Sequence, residues 1–279
     1  MHATDAGLRF FFPPSGMSIR FPKRIVCLSA ESADWLVRLG AWERVVGVTA
    51  FFEQPRESPA RPRIAGFSTA QLDAIVALHP DLVLGFSDVQ AAVTAELIRR
   101  GLTVVVTNQR TIEEAFDALE LIARVVDRAA AAEPFLVQLR AELAAVEPPP
   151  RRPRVYFEEW HDPPVSCICW VSELIERAGG EDVFAEFRRR AAAAERAVAT
   201  SAIVAAAPEI MIASWCGKPV DWRRVRSRPG WAQLPCVQAN QLYEIPSDQI
   251  LQPGFGLVTG YEKIKSIVRQ ATVTAEQIS

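Results

Sequence analysis

Short, largely apolar segments alternate with amphipathic ones between residues 24 and 106, and this pattern restricts the fold more than any other feature of the chain. The apolar segments have the length of β-strands and are rich in β-branched residues. They cover residues 24–28, 45–48, 82–84 and 103–106. Strands that are apolar on both faces are typical of a parallel sheet with helices packed on each side. The sequence therefore predicts an α/β fold.

A helical segment and a proline-rich break separate this region from a second copy of the pattern. Thr111 and Glu114 have the spacing of a capping box that starts one helix. A second helix is predicted over about 134–146, with Pro134 in its first turn. Residues 148–153 read PPPRRP, and strands are predicted again at 154–157, 209–213 and 242–245.

The two halves echo each other: residues 72–84 and 202–212 each read as a helix, a proline with an acid, and a buried strand. We predict two Rossmann-like lobes with parallel sheets, joined by a long helical linker. The predicted boundaries are an N-terminal extension (1–22), an N-terminal lobe (23–111), the linker (112–150) and a C-terminal lobe (151–279). Ligands of such sheets bind at the carboxyl ends of the strands, so the predicted site is the cleft between the lobes.

Composition excludes several classes of function. The chain has 279 residues, with 31 basic and 33 acidic side chains and a formal net charge of -2, which argues against a nucleic-acid partner. No apolar stretch reaches the roughly 18–20 residues of a membrane span, so an integral membrane protein is not expected. Three histidines cannot supply a multi-histidine metal cage, and five cysteines do not form a disulfide framework. No dinucleotide loop, Walker A motif, nucleophile elbow or zinc-protease motif is present, so we expect a binding protein, not an enzyme.

The first 21 residues do not have the pattern of a secretory signal, because the apolar cluster at 10–12 is ended at once by Pro13 and Pro14. As written, the sequence predicts a cytoplasmic protein with a loose N-terminal extension. Met17 is an alternative start, and a different N-terminus would make a periplasmic location the expectation.

Four segments carry a resemblance to a known family: RIVCLS at 24–29, VGVT at 46–49, PDLV at 80–83 and AGGEDVF at 178–184. In this order and spacing the chain resembles the helix-linked (class III) substrate-binding proteins of ABC importers, over about residues 24–270. That family carries cobalamin, ferric siderophores or haem, and the likeness is greatest to the cobalamin-binding proteins. The resemblance implies a monomer without an intrinsic cofactor that binds a small-molecule metal chelate, here cobalamin or another corrinoid.

The resemblance also implies which loops form the pocket. Carried over by position, the pocket aromatics are Phe51, Phe67, Phe86, Trp160, Trp170 and Trp215, and Asp248 reaches a polar edge of the ligand. Aromatic faces with a few hydrogen bonds suit a large flat ligand, and ordinary core packing is the alternative for each ring. A ferric siderophore or haem is the alternative ligand. An intracellular enzyme that handles a metallocofactor on the same fold is the alternative of another class.

His161 and three cysteines are the candidate metal ligands. A neutral imidazole at His161, oriented by Asp162, is suited to be an axial ligand of cobalt or iron, and a solvated loop histidine is the alternative. Cys167, Cys169 and Cys216 would form a soft metal site if their loops met, but C-x-C spacing favours packing roles.

Importer-linked members of the family carry an exposed acid on each lobe that docks on the membrane permease. The matching positions are Asp73 and Ser201, so one acid is kept and the other is absent. Glu195 and Glu209 are candidates to replace the missing charge. A permease partner is therefore an open expectation.

Overall fold

The structure is a computed structural model that describes residues 20–278. Most of the predicted N-terminal extension, residues 1–19, therefore lies outside the described residues. The described chain contains two parallel sheets with flanking helices, as the alternating pattern predicts, and two helices connect them.

The first lobe contains a five-stranded parallel sheet in the order β3-β2-β1-β4-β5. Its elements in chain order are β1 (Ile25–Cys27), α1 (Ala30–Arg38), β2 (Val45–Thr49), β3 (Arg63–Ala65), α2 (Leu72–Ala77), β4 (Leu82–Phe86), α3 (Ala91–Arg99) and β5 (Val104–Thr107). The chain moves outward from β1 to β3, then crosses to β4 on the other side of β1. The gap between β1 and β4 is thus a topological switch point, where open α/β sheets bind ligands.

Two helices form the connection to the second lobe: α4 (Ile112–Val125) and α5 (Ala129–Glu142). The predicted capping box is confirmed, because the Thr111 hydroxyl accepts from Glu114 N–H at 3.1 Å and the Thr111 N–H donates to the Glu114 carboxylate at 3.1 Å. The predicted start of the second helix is wrong by several residues. Pro134 lies inside α5, because the strong helix formers at 129–132 begin the helix before it.

The second lobe contains a four-stranded parallel sheet, β11-β10-β6-β9, and a separate antiparallel hairpin, β7-β8. Its elements are β6 (Arg154–Glu158), β7 (Trp160–His161), β8 (Pro164–Val165), α6 (Cys169–Arg177), β9 (Glu181–Asp182), α7 (Thr200–Ala206), β10 (Ile210–Ala213), α8 (Trp222–Arg226), α9 (Pro235–Gln238), β11 (Leu242–Glu244), α10 (Ser247–Ile250) and α11 (Gly256–Ile278). Short 3₁₀ turns occur at Trp42–Arg44, Asp88–Gln90, Ala185–Phe187, Ala193–Arg196 and Trp231–Gln233. The strands that the sequence did not predict, β3 and β7–β9, have only two or three residues each and no apolar run.

One continuous hydrophobic core joins both lobes to the linker. Trp35 of α1 donates from its indole N–H to Leu119 O of α4 at 2.7 Å and stacks on Phe255, with ring centroids 5.4 Å apart. The Tyr261 hydroxyl of α11 lies 2.8 Å from Ala144 O and 2.9 Å from Arg177 O. Large buried aromatic side chains with satisfied polar ends fix the lobes relative to each other.

Candidate functional site

A cavity of about 340 Å³ lies between the lobes, at the carboxyl ends of the strands of both sheets. A cavity of this size is within the usual range for small-molecule sites. Its lining comes from both lobes and comprises Phe51, Phe67, Phe86, Ser87, Asp88, Val89, Arg110, Glu159, Ile168, Trp170, Ala191, Ala192, Ala193, Arg196, Cys216, Gly217, Ser247, Leu251 and Gln252.

Two phenylalanines stand out on the wall that the first lobe provides. Phe51 follows β2 and is 52% exposed, and Phe67 follows β3 and is 50% exposed. Large apolar side chains are rarely left this exposed side by side unless they contact something else. Phe86, at the end of β4, and Trp170, on α6, are buried beneath the cavity with ring centroids 6.5 Å apart. The structure thus brings four of the predicted pocket aromatics to one cavity.

Gln90 holds this wall in place from inside the switch point. Its side-chain amide donates to Leu28 O at 3.0 Å and to Phe67 O at 3.1 Å, and its carbonyl accepts from Phe86 N–H at 2.9 Å. The loops after β1, β3 and β4 are therefore tied to one buried side chain. A wall fixed in this way is preorganised for a ligand.

Four charged residues line the cavity, and they form one ion pair on each lobe. Arg110 pairs with Asp88 on the first lobe. Arg196 pairs with Glu159 on the second lobe at 2.5 Å and also donates to Ser166 O. The charges of these four side chains cancel, so the lining has no surplus of either sign.

The remaining predicted aromatics, Trp160 and Trp215, lie together outside the lining of the cavity. His161 packs between them, with ring centroids 4.8 Å from Trp160 and 4.4 Å from Trp215. Glu159, between β6 and β7, lines the cavity, whereas its neighbours Glu158 and Trp160 do not. These rings belong to the body of the second lobe.

A fully buried carboxylate, Glu158, organises this part of the second lobe. It accepts from the Trp215 indole N–H at 3.0 Å and from the Tyr156 hydroxyl at 2.9 Å. Arg228 donates to both of its oxygens, at 2.6 and 3.0 Å. A buried carboxylate with a cation and further hydrogen bonds is satisfied, and here it fixes the position of Trp215.

His161 is a partly buried imidazole whose Nδ1 has no hydrogen-bond partner. Burial, and next the nearby Arg224 guanidinium, lowers the pKa of His161, so the ring is neutral near pH 7. A neutral imidazole is a competent metal ligand. Its ring, however, lies outside the lining of the cavity, next to Trp215.

The three cysteines do not converge. Cys167 is buried, and its thiol donates to Asp182 at 3.2 Å. Burial raises the pKa of the Cys167 and Cys169 thiols. Only Cys216 among them lines the cavity. Between residues 20 and 278 no cluster of three or more His, Cys, Asp or Glu side chains is arranged to hold a metal ion.

The remaining predicted residues lie on the surface. Asp248 is exposed in the first turn of α10, and its neighbour Ser247 lines the cavity instead. Asp73 is exposed on α2, where Arg100 pairs with it at 2.5 Å, and Ser201 is exposed on α7.

Several lining residues have no counterpart among the sequence predictions: Asp88, Arg110, Glu159 and Arg196, together with Glu31 in the floor of the cleft. Asp88 and Glu159 each come just after a strand, and this position was a usable signal. Arg196 is far from any strand end in sequence, and nothing in its surroundings indicates the site.

A larger groove of about 650 Å³ lies beside the linker, and several of its charged residues make contacts that stabilise the fold. Glu173 accepts from Ile112 N–H at 2.8 Å and so caps α4 from the second lobe. Arg188 pairs with Glu176 at 2.8 Å. The first contact ties the second lobe to the linker and the second lies within the second lobe, and we therefore assign ligand binding to the aromatic cavity.

Comparison with known proteins identifies the family and the fold of the chain. The "Periplasmic binding protein" family matches residues 25–249. A vitamin B12-binding protein of Vibrio parahaemolyticus is 23% identical over 257 residues, which cover 88% of this chain and 89% of the relative. No helix of the described chain has the length and apolar character required to cross a bilayer.

Solved structures with the same fold include the periplasmic vitamin B12 binding protein BtuF of Vibrio cholerae. That structure has a TM-score of 0.71 at 18% identity and covers 90% of this chain and 98% of its own. The periplasmic heme-binding protein RhuT from Roseiflexus sp. RS-1 has a TM-score of 0.76 at 19% identity, with 89% and 98% covered. At these identities the likeness establishes the fold and leaves the ligand open. The chain belongs to the periplasmic binding protein family and is a substrate-binding protein of the ABC-transporter type, not an enzyme.

Proposed function

We propose that the protein binds a corrinoid, most specifically a cobalamin, in the cavity between its lobes. The observation that carries this proposal is the combination of half-exposed aromatic rings with charges that are already paired. Phe51 and Phe67 offer apolar faces to a flat macrocycle. The ion pairs Asp88–Arg110 and Glu159–Arg196 leave no free cation for an anionic ligand. The amide-bearing edge of a corrinoid suits such a neutral lining.

The lining also favours a ligand whose metal ion needs no axial ligand from the protein. Among the described residues that line the cavity there is no histidine and no tyrosine. Haem, which has ionised propionates and open axial positions, would be served better by unpaired cations and an imidazole or phenolate. A cobalamin brings its own axial base. The vitamin B12-binding relative supports the same choice.

The volume of the cavity limits how a corrinoid can bind. A corrinoid is larger than the cavity of about 340 Å³. We therefore expect part of the macrocycle to stay outside the cavity, or the lobes to separate on binding. In either mode we expect Phe51 and Phe67 to contact the ligand, because both rings line the cavity and are about half exposed.

The test is a ligand screen by titration calorimetry and visible absorbance. Cyanocobalamin, aquocobalamin, adenosylcobalamin, haemin and a ferric trihydroxamate are each titrated into the purified protein. We expect saturable one-to-one binding of at least one cobalamin with micromolar or tighter affinity. Binding of haemin or of the ferric trihydroxamate, with no heat from any cobalamin, would show that the corrinoid assignment is wrong.

The family also suggests a cellular location and a protein partner. We propose that it works as the periplasmic relatives do, and delivers its ligand to an ABC permease through the exposed surfaces around Asp73 and Ser201. Asp73→Arg is expected to reduce corrinoid uptake in cells without changing affinity in solution. Unchanged uptake would remove Asp73 from the docking surface.

A further inference from the structure

Glu31 is a buried carboxyl in the floor of the cleft. It lies in the first turn of α1, directly after the central strand β1, and is 8% exposed. It lines a narrow extension of about 30 Å³, together with Phe51, Phe67 and Phe86, which also line the main cavity. The carboxyl therefore belongs to the same cleft as the exposed phenylalanines, beside the switch point of the sheet.

No cation compensates this carboxyl. Within residues 20–272, Glu31 has no ion pair, whereas both cavity arginines are engaged by Asp88 and Glu159. The other charged or titratable groups near it are the Cys27 thiol on β1 and Asp34, which faces outward and pairs with Arg38 at 2.7 Å. The side chains that face it from β2, from the loop after β4 and from the 251–254 turn are uncharged, and include Thr49, Gln90 and Gln252.

Neither the helix nor the turn above it requires an acid at this position. A first-turn acid interacts favourably with the helix dipole, but that interaction does not require the carboxyl to be covered, as Glu31 is by the turn at Gly254. A side chain at position 254 would meet Glu31 Cβ at 3.1 Å, so the glycine is what allows the turn to pack there. Burying an uncompensated carboxyl costs free energy, and such groups are concentrated at functional sites.

Resting on the corrinoid function proposed above, we propose that Glu31 is a specificity-determining residue whose carboxyl accepts a hydrogen bond from an amide N–H of the ligand. The residue selects a ligand edge that carries donors and rejects one that carries a carboxylate. With Glu31 ionised, the charged groups of the cleft sum to one negative charge, which repels an acidic edge. Burial raises the pKa of the Glu31 carboxyl to about 7, although hydrogen bonds from the Ser29 side chain and the Glu31 backbone N–H act to lower this pKa. The rejection therefore operates above about pH 7 and relaxes below it.

The experiment compares cyanocobalamin with its monocarboxylic acids, in which one peripheral amide is hydrolysed. Affinities are measured near pH 5.5 and near pH 8 for the wild type, Glu31→Met, Glu31→Gln and the control Asp34→Asn. Glu31→Met removes the acceptor at similar volume and is expected to weaken cyanocobalamin binding about tenfold near pH 8. Glu31→Gln keeps a carbonyl acceptor and is expected to stay within about threefold. For at least one monocarboxylic acid, the wild type is expected to bind about tenfold more weakly near pH 8 than near pH 5.5, and Glu31→Gln to lose this difference.

The outcomes separate this proposal from the function on which it rests. If the wild type binds no corrinoid at either pH, the proposed function fails and the role of Glu31 fails with it. If the wild type binds cyanocobalamin and Glu31→Met binds it within twofold near pH 8, the corrinoid function stands and the role of Glu31 is wrong. That role is also wrong if Asp34→Asn changes affinity as much as Glu31→Met, since an equal change would indicate a general charge effect. Thermal unfolding of each variant shows that it is folded.

Discussion

The two walls of the cleft use the same residue types in opposite ways. On the first lobe, Phe51 and Phe67 are about half exposed and face the cavity. On the second lobe, Trp160 and Trp215 follow strands in the same manner but pack into the lobe around His161. An aromatic residue after a strand therefore either lines the cavity or packs into its own lobe. For the ligand proposed above, we expect the exposed rings of the first lobe to form the contact wall and the buried rings of the second lobe to act as a support.

The largest effect is expected where the support of the second lobe is disrupted. Glu158→Ala leaves Arg228 buried without its carboxylate and removes the acceptors of Tyr156 and Trp215. We expect a loss of about 3–5 kcal/mol in the free energy of unfolding, measured by chemical denaturation. Asp162→Ala, which breaks the exposed pair with Arg224, is the control and is expected to cost less than about 1 kcal/mol. Equal losses in the two variants would mean that the Glu158 network is not a support.

The next largest effect is expected at Glu31, in the floor of the cleft, and concerns how the free energy of unfolding depends on pH. The folded pKa of Glu31 is raised to about 7, so the folded protein keeps a proton that the unfolded chain releases near pH 4.5. The free energy of unfolding must therefore fall as the pH rises from about 4.5 to about 7. Glu31→Gln removes this contribution and is expected to be more stable than the wild type near pH 8, by about 3 kcal/mol at most, and about equal to it near pH 5. A constant difference between the two proteins across this range would contradict the raised pKa.

The contact wall is tested by Phe67→Ala. The ring is half exposed, so we expect little change in stability and a loss of about 1–3 kcal/mol in ligand binding, measured by titration calorimetry. Leu121→Ala is the matched control, since Leu121 is 46% exposed on α4 and does not line the cavity. Trp215→Ala should instead change ligand binding little and lower the free energy of unfolding by about 3–5 kcal/mol. If Phe67→Ala leaves affinity unchanged, the first lobe does not provide the contact wall.

The smallest effect is expected at His161, where it tests whether the second lobe acts only as a support. The imidazole lies outside the cavity lining, so His161→Ala is expected to leave the visible spectrum of bound aquocobalamin unchanged. Its affinity should change by less than about threefold. The measurement is a difference spectrum between the two complexes. A shift on removing the imidazole would mean that His161 ligates the cobalt after all, and that the hairpin moves toward the ligand on binding.

The pattern of apolar runs was sufficient for the two parallel sheets, since a strand buried on both faces needs a distinctive composition. The capping box at Thr111 was also readable, because a cap is a local interaction between residues three apart. The short strands β3 and β7–β9 were not readable, because two or three residues carry too little pattern. The family resemblance indicated Phe51, Phe67 and Phe86, which the structure places at the cavity, but it also indicated Trp160 in place of its neighbour Glu159. That distinction depends on tertiary packing, because Trp160 packs on His161 within the second lobe.

The α/β class, the repeated lobe with its helical connection, and the region in which strand ends form a site all follow from the sequence alone. Periodicity and caps are local properties, and the chain carries them wherever it folds. Three further facts come from tertiary packing: which aromatics face the ligand, that Asp88 and Glu159 neutralise the cavity arginines, and that Glu31 is buried under the turn at Gly254. Those facts depend on elements separated by up to 223 residues in the chain, as Glu31 and Gly254 are. Burial and charge compensation exist only once such elements have packed against each other.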